Sequence, residues 1–178
     1  IALLGRSLEP LQAVADRTNQ AGGQALVVPT DVTDANAVAS ARDTIRRDLG
    51  PCTMLINGAG GNQPEAVTTR TTFDHAELDD SDSGERGFFN LDLDRFDSVL
   101  STNTLGTVIP CKVFGRDLAA AGRGSILNFA SMNSYRPITR VPAYAMAKAA
   151  IVNFTQWLAV YLAPAGVRVN AIAPGFFV

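Results

Sequence analysis

The sequence has few of the side chains that build metal centres or disulfide frameworks. Its 178 residues include two cysteines and one histidine. Cys52 and Cys111 are far apart and form no Cys-x-x-Cys motif, which argues against a disulfide scaffold or a zinc site and favours inert packing thiols. His75 stands alone in an acidic stretch and is expected to be solvated. We therefore predict no metal site.

The sequence also lacks long apolar runs and an excess of positive charge. No run approaches the roughly 18 residues of a membrane span, and residues 1–6 lack the features of a signal peptide. Lys and Arg number 15 against 17 Asp and Glu, a net charge of −2, so no basic field attracts nucleic acid or an anionic membrane. With 47% hydrophobic residues, the chain is expected to form one soluble, cytoplasmic domain.

Short apolar runs alternate with helical patterns along the chain. Runs that are apolar throughout are typical of parallel strands with helices on both faces. The alternation predicts an α/β fold with a Rossmann-like doubly wound parallel sheet, forming a single domain over 1–178. The runs lie at 1–4, 25–29, 54–57, 125–130 and 167–172, and the helical patterns lie at about 8–21, 34–49, 92–121 and 142–163.

One polar stretch, 61–91, interrupts this alternation. Its segment 79–85 is strongly acidic, and the stretch as a whole is too poor in apolar residues to pack a core. We predict that 61–91 is a mobile insert loop on the surface near the functional site.

The most informative local pattern is the pair Tyr144 and Lys148. Residues four apart lie on the same face of a helix, so the ammonium can approach the phenol. A nearby cation favours the ionised form of a phenol, as acid–base catalysis near neutral pH requires. Taken alone, the pattern also fits an ordinary pair on a helix surface. Ser131 follows an apolar strand and is the candidate to hold a substrate oxygen, with Ser134 as the rival.

Several separate motifs together resemble the short-chain dehydrogenase/reductase family over nearly the whole chain. The resemblance implies an oxidoreductase that interconverts a secondary alcohol and a ketone by hydride transfer with NAD(P). The motifs that carry it are Asp31-Val32, Asn57-Gly58-Ala59-Gly60, Asn103, Ser131, Tyr144, Lys148 and Pro174-Gly175, in the family's order.

The resemblance implies four catalytic residues. Tyr144 would act as general acid or base, and Ser131 would hold the substrate oxygen. Lys148 would favour the phenolate and bind the cofactor ribose. Asn103 would hold a water that links the lysine to solvent, although an Asn within a helix can also serve only to bond a backbone carbonyl.

The resemblance also implies the cofactor contacts. Asp31 and Val32 would contact the adenine, and Pro174-Gly175 would orient the nicotinamide amide unless it is a plain turn. The small residues of the turn after the third apolar run would let the backbone pass close to the adenine ribose. That turn consists of Asn57, Gly58, Ala59 and Gly60.

The choice between NAD and NADP depends on the end of the first strand. An acidic residue there would bind the ribose 2′-hydroxyl of NAD, but Gly5, Arg6 and Ser7 occupy this position. A guanidinium and a hydroxyl suit a 2′-phosphate. We predict NADP as the preferred cofactor, with NAD possible. Alternatively, Arg6 stacks on the adenine and tolerates both.

The family's glycine-rich phosphate turn does not occur in this sequence. The first strand and helix, which flank that turn in the family, and the last strand are also expected to be missing. We therefore expect the chain to be a fragment, with a gap in its sheet between the strands at 1–4 and 54–57.

Within the family, the segments 56–64, 131–137 and 174–177 resemble a branch of D-mannonate oxidoreductases, or fructuronate reductases. A polar, cationic pocket would suit such a hydroxylated carboxylate, although the arginines can equally lie on the solvated surface. Other polyols, ketones on an acyl carrier and a non-catalytic dinucleotide sensor remain alternatives. The candidate pocket residues are Asn62, Gln63, Asn133, Arg136 and Arg140.

The predicted helix 142–163 is apolar nearly all round. It has more apolar side chains than one face against a sheet requires. Family members commonly pair through this helix and the one that carries Asn103. We predict a homodimer or homotetramer formed through these two helices.

Overall fold

A computed structural model describes residues 1–78 and 84–176. The strands are β1 (Ala2–Gly5), β2 (Leu26–Pro29), β3 (Met54–Asn57), β4 (Gly124–Phe129) and β5 (Val167–Ile172). The α-helices are α1 (Leu8–Gln20), α2 (Ala35–Asp48), α3 (Leu93–Ala120) and α4 (Pro142–Leu162). Short 3-10 helices lie at Pro64–Ala66, His75–Leu78, Met132–Ser134 and Ala163–Ala165.

All strand pairs in the structure are parallel. β1 pairs with β2, while β4 lies between β3 and β5, with Ile126 opposite both Leu55 and Val169. Within the described ranges no strand joins the two groups, which agrees with the gap expected between β1 and β3. The predicted Rossmann-like parallel fold is confirmed.

Two apolar clusters hold the helices to the strands. One, around the fully buried Ile126 and Leu118, packs α3 and α4 against β4 and β5. The other, around Val38 and Phe114, packs α2 and α3 against β1 and β2. Leu55 of β3 contacts both clusters, so the two groups of strands share a continuous interior.

Local signals set the helix ends. Asp34 and Asp92 cap α2 and α3 by accepting bonds from the backbone N–H groups of the first turn. Pro142 begins α4, where its missing N–H is not required. Among the described residues, no helix has the length and apolar character needed to cross a membrane.

A buried ion pair joins α2 to α3. Asp117 is 7% exposed and accepts two bonds from Arg42, at 3.0 and 2.5 Å. These bonds keep the pKa of Asp117 below its usual value, with the Arg42 hydrogen bonds as the main cause. The carboxylate therefore stabilises the fold in its charged form.

We expect Asp117→Asn to lower the free energy of unfolding by about 1–3 kcal/mol at neutral pH, because Arg42 loses its buried charged partner. The folded pKa is lowered, so this stabilisation is present above the unfolded pKa of about 3.9 and is lost as the pH falls through the folded value. Urea unfolding should therefore show the two proteins converging below about pH 4. Asp43→Asn, which removes the 73%-exposed partner of the same arginine, is the matched control. Equal losses in both variants would contradict the assignment.

The described part of the predicted insert is attached to the core at its beginning. Ala66 is fully buried against Val99 and Ala143. The Arg86 guanidinium donates to the backbone oxygens of Pro64 and Val67 at 2.8 and 3.2 Å. The first part of the insert therefore does contribute to the core. Its local composition did not indicate this, because the contacts come from distant segments. Its mobility stays a prediction.

An aromatic group lies farther along the insert. Phe73, Phe88 and Phe89 make edge-to-face contacts and line a cavity of about 540 Å³. His75 also packs edge-to-face on Phe73, so it has an aromatic partner that the sequence did not indicate. Residues 79–83, the centre of the predicted acidic loop, lie outside the described residues.

Candidate active site

The structure brings Tyr144 and Lys148 together on the first two turns of α4. The Lys148 ammonium lies 5.6 Å from the centre of the Tyr144 ring. Lys148 is only 5% exposed, and its ammonium donates to the backbone oxygen of Phe129 at 2.7 Å. Burial lowers the pKa of Lys148. A buried cation therefore stands beside the phenol, at the carboxyl end of β4.

The Ser131 side chain lies at the same end of β4. Ser131 is the N-cap of the 3-10 helix Met132–Ser134, and its oxygen accepts a bond from the Asn133 N–H at 3.2 Å. A hydroxyl can accept and donate at once, and within the described part of the chain this one has no acceptor of its own. The Ser134 hydroxyl, in contrast, donates to the Lys148 carbonyl at 2.7 Å. Ser131 is thus better suited than Ser134 to donate to a substrate.

Asn103 is fully buried in α3, and its amide is occupied by backbone groups. Its nitrogen donates to the oxygens of Gly61 and Val99 at 2.7 and 2.8 Å. Its oxygen accepts from the Gly61 N–H at 3.2 Å. Asn103 therefore fixes the turn after β3, in addition to bonding a carbonyl of its own helix. The proposed water-binding role uses none of these bonds and stays a prediction.

Gly60 places this turn directly beside Lys148. A Cβ atom on Gly60 would lie 2.5 Å from the Asn103 side-chain oxygen and 3.3 Å from the Lys148 nitrogen. Only a residue without a side chain fits between them. The turn after β3, the long helix α3 and the helix α4 thus meet at one point.

Three buried, hydrogen-bonded polar side chains connect the elements that carry the site. Asn57 donates to Asn128 at 2.9 Å, and Asn128 donates to Thr155 at 2.9 Å. Asn128 is fully buried. These bonds connect β3 to β4 and β4 to α4. Sequence reasoning missed Asn128 and Thr155, although an asparagine inside the apolar run 125–130 was a signal for a buried polar contact.

The two cysteines have no chemical role in this arrangement. Cys111 is buried and accepts a bond from the Asn57 side chain at 3.1 Å. Burial raises the pKa of Cys111 to about 12, which leaves the thiol uncharged at neutral pH. Burial also raises the pKa of Cys52. Both observations fit packing thiols.

The predicted adenine contacts lie after β1 and β2. Asp31 accepts bonds from the Thr33 backbone and hydroxyl, which lower its pKa, and the charge of Arg6 contributes in the same direction. Val32 faces α3, where a Cβ on Gly106 would lie 3.0 Å from its methyl group. Ser7 is at the N-cap of α1, but its hydroxyl makes no capping bond.

Pro174 and Gly175 come close to the serine segment. The backbone oxygen of Pro174 accepts from the Met132 N–H at 3.0 Å, and a Cβ on Gly175 would lie 3.7 Å from the Met132 sulfur. Residues that follow β3, β4 and β5 therefore meet at the carboxyl edge of one parallel sheet, where ligands bind in open α/β sheets. Gly58 and Ala59 belong to the turn after β3.

Most of the residues predicted for a polar substrate pocket form hydrogen bonds within the surrounding segments. Arg136 and Arg140 are exposed, as the surface alternative proposed. Arg140 donates to the Thr68 backbone oxygen at 2.9 Å and adopts a left-handed conformation, with φ of 76°. The Gln63 amide donates to Ser98, and the Asn133 oxygen accepts from the Ile138 N–H. Asn62 is exposed and accepts from the Gln63 N–H. These contacts shape the loops around the site.

Comparison with known proteins gives a consistent picture. The family model described as short chain dehydrogenase matches residues 1–178. The chain is 45% identical to an uncharacterised oxidoreductase, UxuB, of Bacillus subtilis, over 99% of this chain and 62% of that protein. The chain spans 61–62% of the length of two curated relatives that are each 45% identical to it.

Two solved structures show the same fold. A protein from Haemophilus influenzae, provisionally named D-mannonate oxidoreductase and holding NAD, superimposes with a TM-score of 0.93 at 44% identity, over 100% of this chain and 62% of that one. An NAD+-bound xylitol dehydrogenase superimposes with a TM-score of 0.84 at 30% identity, over 99% of this chain and 60% of that one. With a family match along its whole length and this degree of structural agreement, the chain belongs to the short-chain dehydrogenase family.

Proposed function

We propose that the full-length protein interconverts a secondary alcohol and a ketone, with Tyr144 as the general acid or base. One observation carries this proposal: a buried Lys148 ammonium lies beside the Tyr144 ring, at the strand end that also presents the Ser131 hydroxyl. A charge held in a buried setting interacts more strongly with its neighbours than it would in water.

In the direction of reduction, Tyr144 gives its proton to the substrate oxygen, while the Ser131 hydroxyl donates a hydrogen bond to the same atom. A nicotinamide cofactor, when bound, supplies the hydride to the carbonyl carbon and takes it back in oxidation. An ammonium has three N–H donors. Lys148 uses one of them on Phe129, so the others can bind ribose hydroxyls.

The residues after β1 fit the adenosine end of such a cofactor. The Ser7 hydroxyl is free of a capping bond, and Arg6 is exposed beside it. A guanidinium and a free hydroxyl can bind a 2′-phosphate, which supports NADP. The Haemophilus protein holds NAD, which keeps NAD as a second cofactor. The remaining proposed contacts are Asp31, Val32, Asn57, Gly58, Ala59, Gly60, Tyr144, Lys148, Pro174 and Gly175.

If Arg6 binds a 2′-phosphate, Arg6→Ala should raise the KM for NADPH by about 10- to 100-fold, the value of a charge-assisted hydrogen bond. The KM for NADH should change little, because NADH lacks that phosphate. Initial rates with both cofactors give the comparison, and Arg17→Ala, in the last turn of α1, is a control for the lost positive charge. An equal rise for both cofactors would instead support stacking of Arg6 on the adenine.

For the substrate we propose a sugar acid such as D-mannonate or D-fructuronate. The support is the resemblance of the segments 56–64, 131–137 and 174–177 to that branch, together with the provisional name of the Haemophilus protein. The exposed Arg136 and Arg140 lie on the loop that leads from Ser131 to Tyr144. These two guanidinium groups would offer a carboxylate substrate a positively charged partner.

Turnover measurements on the full-length protein test this function. NADPH and NADH oxidation should be followed with D-fructuronate, with neutral sugars such as xylulose, and with a 3-oxoacyl thioester. Turnover of D-fructuronate alone supports the sugar-acid proposal. A preference for xylulose would favour a neutral polyol, which the similarity to xylitol dehydrogenase makes the second candidate. Cofactor binding without any turnover would favour a dinucleotide sensor.

The exposed face of α4 supports a homo-oligomer. Trp157 stacks between Phe154 and Tyr161, with ring centres 6.3 and 5.0 Å apart. Trp157, Val160 and Tyr161 are more than half exposed, a contiguous apolar surface of the kind that marks an interface. We propose a cytoplasmic homodimer or homotetramer that pairs through α3 and α4. Analytical ultracentrifugation showing only a monomer at micromolar concentration would refute it.

A further inference from the structure

The hydroxyl of Ser134 joins the two segments that carry the proposed catalytic residues. Its oxygen accepts a bond from the Ser131 N–H at 3.2 Å. Its hydrogen is donated to the Lys148 backbone oxygen at 2.7 Å. A single side chain thus connects the end of β4 to the second turn of α4, which carries Lys148.

On the β4 side, this hydroxyl completes a capping box around Ser131. The Ser131 oxygen accepts from the Asn133 N–H, and the Ser134 N–H donates to the Ser131 carbonyl at 2.9 Å. Ser131 is extended, with φ of −162° and ψ of 160°. Both its backbone N–H and its side-chain oxygen are therefore held, which restricts the directions in which the Ser131 O–H can point.

On the α4 side, the Ser134 bond differs from the other link at this position. Lys148 also reaches β4 through its ammonium, which donates to the Phe129 oxygen. In the proposed reaction that ammonium must also serve Tyr144 and the cofactor. The Ser134 bond holds the backbone of Lys148 instead, so it does not depend on where the ammonium donates.

We propose that Ser134 is a positioning residue, whose hydroxyl sets the spacing between the Ser131 hydroxyl and the Lys148 side chain without taking part in proton transfer. This inference rests on the proposed function, because it assigns Ser134 to the same site. A displacement of about 1 Å at a reacting group can cost about 100-fold in rate. Loss of the Ser134 hydroxyl removes one contact from each segment at once.

The test compares Ser134→Ala with Ser134→Thr, which keeps the hydroxyl. Thr18→Val is the matched control, since Thr18 makes a similar hydroxyl-to-carbonyl bond, at 2.9 Å, on the distant helix α1. In the full-length protein, Ser134→Ala should lower kcat by about 10- to 100-fold. Ser134→Thr should recover most of the rate, and Thr18→Val should keep the wild-type rate.

Crystal structures of the wild type and Ser134→Ala provide a second readout that needs no turnover. The distance from the Ser131 Oγ to the Lys148 Nζ should change by about 1 Å in the variant. An unchanged distance, or an unchanged kcat with only a lower melting temperature, would overturn the inference. If the wild type turns over no substrate, the proposed function fails, and the two crystal structures alone decide the role of Ser134.

Discussion

Tyr144→Phe is expected to lower kcat by about 100- to 10,000-fold, the usual contribution of a positioned acid or base. The substitution removes one oxygen atom and keeps the ring that packs near Lys148 and against the cluster of Ala66, Val99 and Ala143. Folding should therefore be preserved, and the affinity for the cofactor should change much less than kcat. Steady-state rates, a melting curve and a titration of NADPH fluorescence measure the three properties separately.

Tyr161→Phe is the matched control for this prediction. Tyr161 lies on the same helix, is 66% exposed, and stacks only through its ring. Its variant should keep the wild-type rate. Comparable rates for Tyr144→Phe and the wild type would show that another group transfers the proton, and the acid–base assignment would then be abandoned.

Gly60→Ala is the second change with a large expected effect. The added methyl group would lie 2.5 Å from the Asn103 oxygen, closer than atoms can approach without a shift. Asn103 cannot easily withdraw, because it is fully buried and makes three bonds to the backbone of Gly61 and Val99. Overpacking of this kind costs about 1–3 kcal/mol. The same methyl group would press on the Lys148 ammonium. We therefore expect a loss of kcat beyond what the loss of stability alone would cause.

Gly115→Ala provides the control for the glycine change. Gly115 lies within α3, and a Cβ there would have no neighbour within 4 Å. Alanine in a helix is more favourable than glycine by about 1 kcal/mol, so this variant should be as stable as the wild type or slightly more stable. Chemical unfolding and kcat should be measured for both variants. If Gly60→Ala kept normal kcat and normal stability, the close packing of the turn against Asn103 and Lys148 would be refuted.

Together these predictions describe a site in which charge, proton donor and backbone are held by separate contacts. In the proposed reaction, Lys148 would provide the cation, Tyr144 the proton and Ser131 the hydrogen bond to substrate. Asn103 bonds the turn that passes beside the lysine, and Ser134 would position the helix that carries it. Such preorganisation is what electrostatic catalysis requires, because groups that are already in place need no reorganisation during the reaction.

Local patterns determined much of this protein from its sequence alone. The apolar runs and helical periods predicted the strand and helix order, because burial on both faces of a parallel sheet requires continuous apolar strands. The i, i+4 spacing brought Tyr144 and Lys148 together, because four residues complete about one helical turn. Proline at the start of α4 and aspartate at the starts of α2 and α3 set helix ends to within a residue or two of the prediction.

Contacts between distant segments were decided only by the tertiary structure. Asn103 meets Gly61 across 42 positions, and Asn57 meets Asn128 across 71. Which buried amide faces which partner depends on the order of the strands and the depth of the helices, and no local period encodes that. The same reason explains why the sequence did not show the contact that distinguishes Ser134 from Ser131. Their roles differ because only Ser134 lies within reach of the Lys148 carbonyl once α4 packs beside the end of β4.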